Sequence, residues 1–139
     1  HYSAGIIQDQ VERYVKGESD SLSALHEIKQ LASDMKKALL LGDIQEVGYL
    51  LDVGWEQKKK LSSRISNPTI DALYEEAKKA GAVGGKLLGA GGGAYLALVC
   101  SFNRRHRVVE ALQKAGGRID PWKLEPNGLQ TWEARGWSN

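Results

Sequence analysis

The sequence predicts an α+β domain in which helices pack on a small antiparallel sheet. Amphipathic helical patterns fill the chain up to Gly81. A cluster of glycines then interrupts them, and a short apolar run followed by one more amphipathic segment comes after the cluster. With 139 residues, 42% of them hydrophobic, the chain is long enough for one cored domain and too short for two, so residues 1–139 are read as a single domain.

From Ala4 to Lys16, Ile6, Ile7, Val11, Tyr14 and Val15 fall mostly at helical spacing, and Gly17 can adopt the positive φ that ends a helix. Ser19, Asp20 and Ser21 offer caps for a second helix of about six turns, in which Leu22, Leu25, Ile28, Leu31, Ala32, Met35 and Leu39 recur up to Gly42. Asp43 and Glu46 have capping-box spacing. Ile44, Val47, Leu51, Trp55 and Lys58 then carry a third helix to Leu61, and the tight connection predicts that helices two and three pack antiparallel. Asn67 as cap and Pro68 at the first helical position start a fourth helix, whose Ile70, Leu73, Tyr74 and Ala77 face inward and which ends at Gly81.

Val83–Leu88 reads as a short strand, and Ala94–Cys100, apolar throughout, as a central strand covered on both faces. Asn103 is placed to cap a fifth helix that carries Val108, Val109, Leu112 and Ala115 and ends at Gly116 and Gly117. Arg118–Leu124 is apolar enough for a last strand, with Pro121 pointing to an edge or a strand end. So thin a sheet leaves an exposed edge, so a strand from a segment upstream of His1 is expected to complete it. The absence of an initiator Met, with Ile6 and Ile7 following at once, likewise predicts a cut upstream.

Lys and Arg number 19 against 17 Asp and Glu, interleaved along the helices, which leaves no nucleic-acid footprint. Cys100 is the only cysteine, which excludes an internal disulfide and makes the cytoplasm the default location. No apolar run approaches the roughly 20 residues of a membrane span, and the first residues form no signal peptide. His1, His26 and His106 are scattered without ligand-spaced neighbours, so no metal site is expected. Arg104, Arg105, His106 and Arg107 form a basic run best read as a solvated helix face, while Trp122, Trp132 and Trp137 are core or docking residues.

Gly84-Gly85-Lys86-Leu87-Leu88-Gly89-Ala90-Gly91-Gly92-Gly93-Ala94 holds six glycines. Each loses more backbone entropy on ordering than alanine would, so clustering them implies positive φ or close approach of another group to the backbone. Successive bare amides can form an anion-binding nest. A Walker A loop, G-x-x-x-x-G-K-S/T, fails at Ala80 and Leu87. A dinucleotide fingerprint, G-x-G-x-x-G, fails at Ala94 and would need a helix to follow, where a strand is predicted. A tight turn between two strands that binds nothing stays open on the glycines alone.

Lys86-Leu87-Leu88-Gly89-Ala90-Gly91-Gly92-Gly93-Ala94 resembles the phosphate-proximal motif K-L/I-x-G-A-G-G-G-G of the galactokinase, homoserine kinase, mevalonate kinase and phosphomevalonate kinase (GHMP) superfamily, departing from it at Ala94. Ser66-Asn67-Pro68-Thr69-Ile70-Asp71 is similar to the helix start that precedes this motif in mevalonate-kinase relatives. Asp43–Leu51, Trp55–Leu61, Gly128–Trp132 and the opening Ser3–Gln10 resemble the branch of D-glycero-D-manno-heptose 7-phosphate kinase type sugar kinases.

The resemblance implies the superfamily's carboxy-terminal domain, of ferredoxin-like type, from an enzyme that transfers the γ-phosphoryl of ATP to a hydroxyl of a sugar or sugar phosphate with Mg²⁺. In that family the main ATP motif, P-x-x-x-G-L/I-G/S-S-S-A-A, and the catalytic and metal-binding carboxylates lie in the amino-terminal half, and the chain has no counterpart of them. It therefore implies no catalytic or metal-ligating residue here. Lys86, Gly89, Ala90, Gly91, Gly92 and Gly93 would lie against the ATP phosphates, and Asn67 and Asp71 would line the acceptor pocket. The expected partners are a small sugar or sugar phosphate and the kinase's own amino-terminal domain, with no nucleic acid and no membrane. The isolated chain should be inactive, and should self-associate through the face its partner half would cover. The competing reading is a non-catalytic α+β module that senses a small anion through the same loop.

Overall fold

The computed structural model describes residues 2–89, 95–123 and 125–132. Four helices come first: α1 (Tyr2–Val15), α2 (Ser19–Leu41), α3 (Ile44–Leu61) and α4 (Pro68–Ala80). Strand β1 (Ala82–Leu87) then pairs antiparallel with β2 (Leu96–Cys100), and a 3₁₀ turn (Phe102–Arg104) leads into α5 (Arg105–Lys114). The predicted helix-rich α+β fold is the one observed.

Local chemistry sets most of these boundaries. Gly42 (φ 69°) and Gly81 (φ 112°) end α2 and α4 in the left-handed conformation, where their N–H groups return to carbonyls of the last turn. The Asp43 carboxylate accepts the Glu46 N–H at 3.0 Å, but the Asp43 N–H goes to the Ala38 carbonyl. The capping box is therefore half formed, and the same two residues lock the α2–α3 reversal. Asn67 Oδ1 accepts the Ile70 N–H at 3.0 Å, with Pro68 in the first turn.

Ser19, Asp20 and Ser21 do not cap α2: the N-cap is Glu18, without a side-chain cap, because the turn at Gly17 (φ 67°) delivers the chain already helical at Ser19. Asn103 does not cap α5, since it lies inside the 3₁₀ turn closed by the Arg104 N–H on the Ser101 carbonyl. Residues 118–123 form no strand, and Leu124 lies outside the described residues. Pro121 lacks a ladder donor; side chains of α4 occupy the outer edge of β1, and the outer edge of β2 stays unpaired among the described residues.

Those side chains define the sheet. Gly85 donates its N–H to the Tyr74 hydroxyl at 3.0 Å, and Lys78 Nζ bonds the Val83 carbonyl at 2.8 Å. Helix α4 thus takes the place of a further strand beside β1. The remaining edge belongs to β2, so among the described residues β2 is not the central strand expected; all of its residues are half-buried.

Helix α3 lies directly against β1, and two glycines make that approach possible. A Cβ on Gly48 would sit 2.7 Å from Val83 Cβ, and one on Gly84 would strike the Gly48 carbonyl oxygen. Ile6, Ala24, Trp55, Leu61, Ile70, Tyr74 and Leu87 form the main core where the first four helices meet β1. Ala77, Ala82, Val108 and Leu112 join α4, β1 and α5. Of the apolar residues predicted for α1, only Ile6 is buried; Ile7, Val11, Tyr14 and Val15 are each more than half exposed.

Candidate phosphate-binding site

The candidate site starts where β1 runs out. Leu87 is buried, and the next residue donates its N–H to the Tyr95 carbonyl at 2.8 Å, which holds the mouth of the β1–β2 connection together. Gly89 follows at φ 86°, a backbone conformation that glycine adopts without strain, and nothing lies within 4 Å of where its Cβ would be. Ala90, Gly91, Gly92, Gly93 and Ala94 lie outside the described residues. The glycine cluster therefore divides by role: Gly84 and Gly85 serve packing inside the strand, and Gly89 opens the connection.

Lys58, in the last turn of α3, reaches across to this mouth. Its Nζ donates to the Gly89 carbonyl at 2.8 Å. Burial holds the Lys58 ammonium below the ordinary lysine range, and the positive charge of Lys86 lowers it further. Lys86 itself is exposed on β1. The two neighbouring lysines are treated differently: Lys59 pairs with Glu56 at 2.8 Å and lies 5.7 Å from the Trp55 ring centroid, and Lys60 bonds Gln57 at 3.0 Å.

Asn67 and Asp71 sit at the start of α4, both half-buried, and both hold structural posts. Asn67 is the cap, and Asp71 Oδ1 accepts the Ser66 hydroxyl at 2.7 Å. Among the described residues, Asn67 Nδ2 and Asp71 Oδ2 make no hydrogen bond. Ile70 and Leu87 belong to one buried cluster with Trp55, so the same core supports this helix start and the loop mouth. The Trp55 indole N–H within it has no partner among the described residues.

Behind the mouth, Tyr74 Oη donates to Asp52 Oδ1 at 2.7 Å and Lys78 Nζ bonds Asp52 Oδ2 at 2.7 Å. Burial and the Asp52 carboxylate push the Tyr74 phenol far above its usual value, so it stays protonated and donates. This network braces β1 rather than a ligand. Arg104, Arg105, His106 and Arg107 are exposed, and Arg107 shares a shallow groove with Glu76, Glu110 and Lys114, which balances its charge. Among the described residues no group of three or more His, Cys, Asp or Glu side chains could hold a metal ion.

Lys58 and the Asp52–Tyr74–Lys78 network are not singled out by the sequence. The one available signal is that Lys58 continues the inward stripe of Leu51 and Trp55, where a lysine is out of place.

A family model described as GHMP kinases C terminal matches residues 35–118. D-glycero-alpha-D-manno-heptose 7-phosphate kinase of Campylobacter jejuni is 32% identical over 116 residues, 84% of this chain and 34% of its own length. L-fucokinase/L-fucose-1-P guanylyltransferase of Bacteroides fragilis is 38% identical over 95 residues, 68% of this chain and 10% of its own. Mevalonate kinase of Pyrococcus abyssi is 34% identical over 101 residues, 72% of this chain and 27% of its own. The chain thus spans about a third or less of each of these relatives. The crystal structure of L. major mevalonate kinase in complex with R-mevalonate shares the fold, with a TM-score of 0.72 and 22% identity over 81% of this chain and 34% of that one.

Proposed function

The chain belongs to the GHMP kinase C-terminal family, and from that membership we propose that residues 1–139 are the carboxy-terminal domain of a longer ATP-dependent sugar or sugar-phosphate kinase. The observation that carries the reading is the mouth of the β1–β2 connection. There Gly89, the first glycine of the stretch that resembles the family's phosphate-proximal motif, takes a left-handed conformation, with Lys58 bound to its carbonyl.

A left-handed glycine opening a run of bare amides, beside two lysines without carboxylate partners among the described residues, suits an anionic phosphate. ATP would supply the phosphoryl group. Lys86 and the backbone from Gly89 to Gly93 would hold the phosphates from one side and keep water from them. Fixed N–H groups stabilise charge on phosphoryl oxygens without reorganising, which is the main demand of phosphoryl transfer.

Asn67 Nδ2 and Asp71 Oδ2 would bond acceptor hydroxyls, on a helix start that the Ser66 and Ile70 bonds already fix. The likeness to the Campylobacter jejuni enzyme supports a heptose phosphate as acceptor. The catalytic carboxylates, and the groups holding Mg²⁺, belong to the amino-terminal half in this reading, so the isolated chain has no turnover. The enzyme would act in the cytoplasm; among the described residues no helix is long and apolar enough to cross a membrane.

The test is kinase assay of a full-length protein containing this chain against D-glycero-D-manno-heptose 7-phosphate, other sugar phosphates and free sugars. ATP-dependent phosphorylation of any of these supports the proposal, and none by active, folded protein refutes it.

A further inference from the structure

We infer that Lys58 is a phosphate-binding residue: its ammonium, hung on the Gly89 carbonyl, forms with the ammonium of Lys86 a two-lysine subsite for a phosphate dianion. The inference rests on the reading of the loop mouth as phosphate-facing, and it adds a residue that lies outside the glycine motif.

Of three consecutive lysines at the end of α3, two are engaged locally, Lys59 by Glu56 and the Trp55 ring, Lys60 by Gln57. Lys58 instead bridges 31 residues of sequence to the Gly89 carbonyl. An ammonium has three N–H donors, and this contact uses one. A carbonyl alone leaves the charge unneutralised, and no carboxylate among the described residues lies within ion-pair distance of Lys58 or Lys86.

A second cation close to a half-buried one is unfavourable unless an anion joins them. Lys86 shares with Gly84 the face of β1 turned to α3, where a Gly84 Cβ would meet Gly48 and Asp52. It therefore lies on the side of the strand from which Lys58 reaches Gly89, and its charge adds to burial in disfavouring the Lys58 ammonium. The C-terminal dipole of α3 offsets the cost only in part. A phosphate oxygen between the two ammonium groups would neutralise both, and the Gly89 carbonyl would keep Lys58 aimed. The phosphate could belong to a nucleotide or to a phosphorylated acceptor.

The experiment is calorimetric titration of the 139-residue chain with sodium tripolyphosphate and, separately, with glucose 6-phosphate. The Lys58→Gln, Lys86→Gln, Lys58→Arg and Lys60→Gln variants are titrated alongside, each checked for fold by circular dichroism. Lys58→Gln and Lys86→Gln should each weaken binding about tenfold, the loss of one charge-assisted hydrogen bond. Lys58→Arg should keep most of the affinity, and Lys60→Gln should change it less than about twofold, as an exposed charge does. Dependence on Lys58 with tripolyphosphate assigns the subsite to the nucleotide, and dependence with glucose 6-phosphate alone assigns it to the acceptor. No binding of either probe to the wild-type chain, or equal losses from Lys58→Gln and Lys60→Gln, overturns the inference. If the subsite fails while a full-length protein phosphorylates sugars, the kinase reading stands without it. If Lys58-dependent binding persists in a protein without kinase activity, the kinase reading falls and the subsite remains.

Discussion

Tyr74 accepts the N–H of Gly85 at 3.0 Å, so a helix side chain fills the position that a neighbouring strand would occupy along β1. Its own proton goes to Asp52 on α3, and one hydroxyl therefore joins α3, α4 and the strand leading into the candidate site. Tyr74→Phe preserves the ring and leaves a buried N–H without an acceptor. The expected cost is about 1–3 kcal/mol, read as a lowered urea midpoint with an unchanged slope.

The same residue gives a pH signature. Because the folded state holds the Tyr74 proton more tightly than the unfolded chain does, its contribution is complete below the ordinary tyrosine value of about 10. It is lost as pH rises above that value. The stability difference between wild type and Tyr74→Phe should therefore be constant from pH 7 to 9 and shrink above pH 10. Urea titrations across that range check it.

The glycines of one cluster should respond unequally. Gly84→Ala drives a methyl group into the Gly48 carbonyl, a backbone atom that cannot swing aside, and should cost about 3 kcal/mol or prevent folding. Gly89→Ala meets open space and should cost only the left-handed conformation, about 1–2 kcal/mol. Thermal melts of the two variants would separate packing glycines from the loop glycine.

Asn67 allows its two roles to be divided. Asn67→Ala loses the cap on α4 and about 1 kcal/mol of stability. Asn67→Asp keeps the cap oxygen and removes the amide donor, so its stability should stay within about 0.5 kcal/mol of wild type. In a full-length kinase, Asn67→Asp should raise the acceptor KM and leave the ATP KM unchanged. An unchanged acceptor KM would confine Asn67 to its structural post.

Most of the helical part was legible because its signals are local. Asn67-Pro68 and Asp43 with Glu46 state where a helix starts, and Gly42 and Gly81 state where one ends. What was not legible depends on partners distant in sequence. Arg118–Leu124 has a strand's composition, but Pro121 lacks a ladder donor, and pairing is decided by strands distant in sequence rather than by composition. Asn103 has a cap's chemistry, but the turn from Ser101 to Arg104 absorbs it. Gly48 reads as an ordinary helix position until Val83 and Gly84 are set against it. At the site, the motif pointed to Lys86 and Gly89, whereas the role of Lys58 depends on a contact 31 residues away.

The exposed face of α1 bears on the proposed partner half. Ile7, Val11, Tyr14 and Val15 would be covered in a longer kinase, and in the isolated chain they should promote self-association. Light scattering should show concentration-dependent growth in mass, reduced by Val11→Lys. A chain that stays monomeric at high concentration would contradict this.

The most direct test of a phosphate-facing loop is amide chemical-shift mapping of the chain as sodium tripolyphosphate is added. The largest shifts should fall on Leu88, Gly89 and the amides that follow, with the Arg104–Arg107 segment little changed. Shifts confined to that basic segment, with the Leu88 and Gly89 amides unmoved, would contradict a phosphate-facing loop.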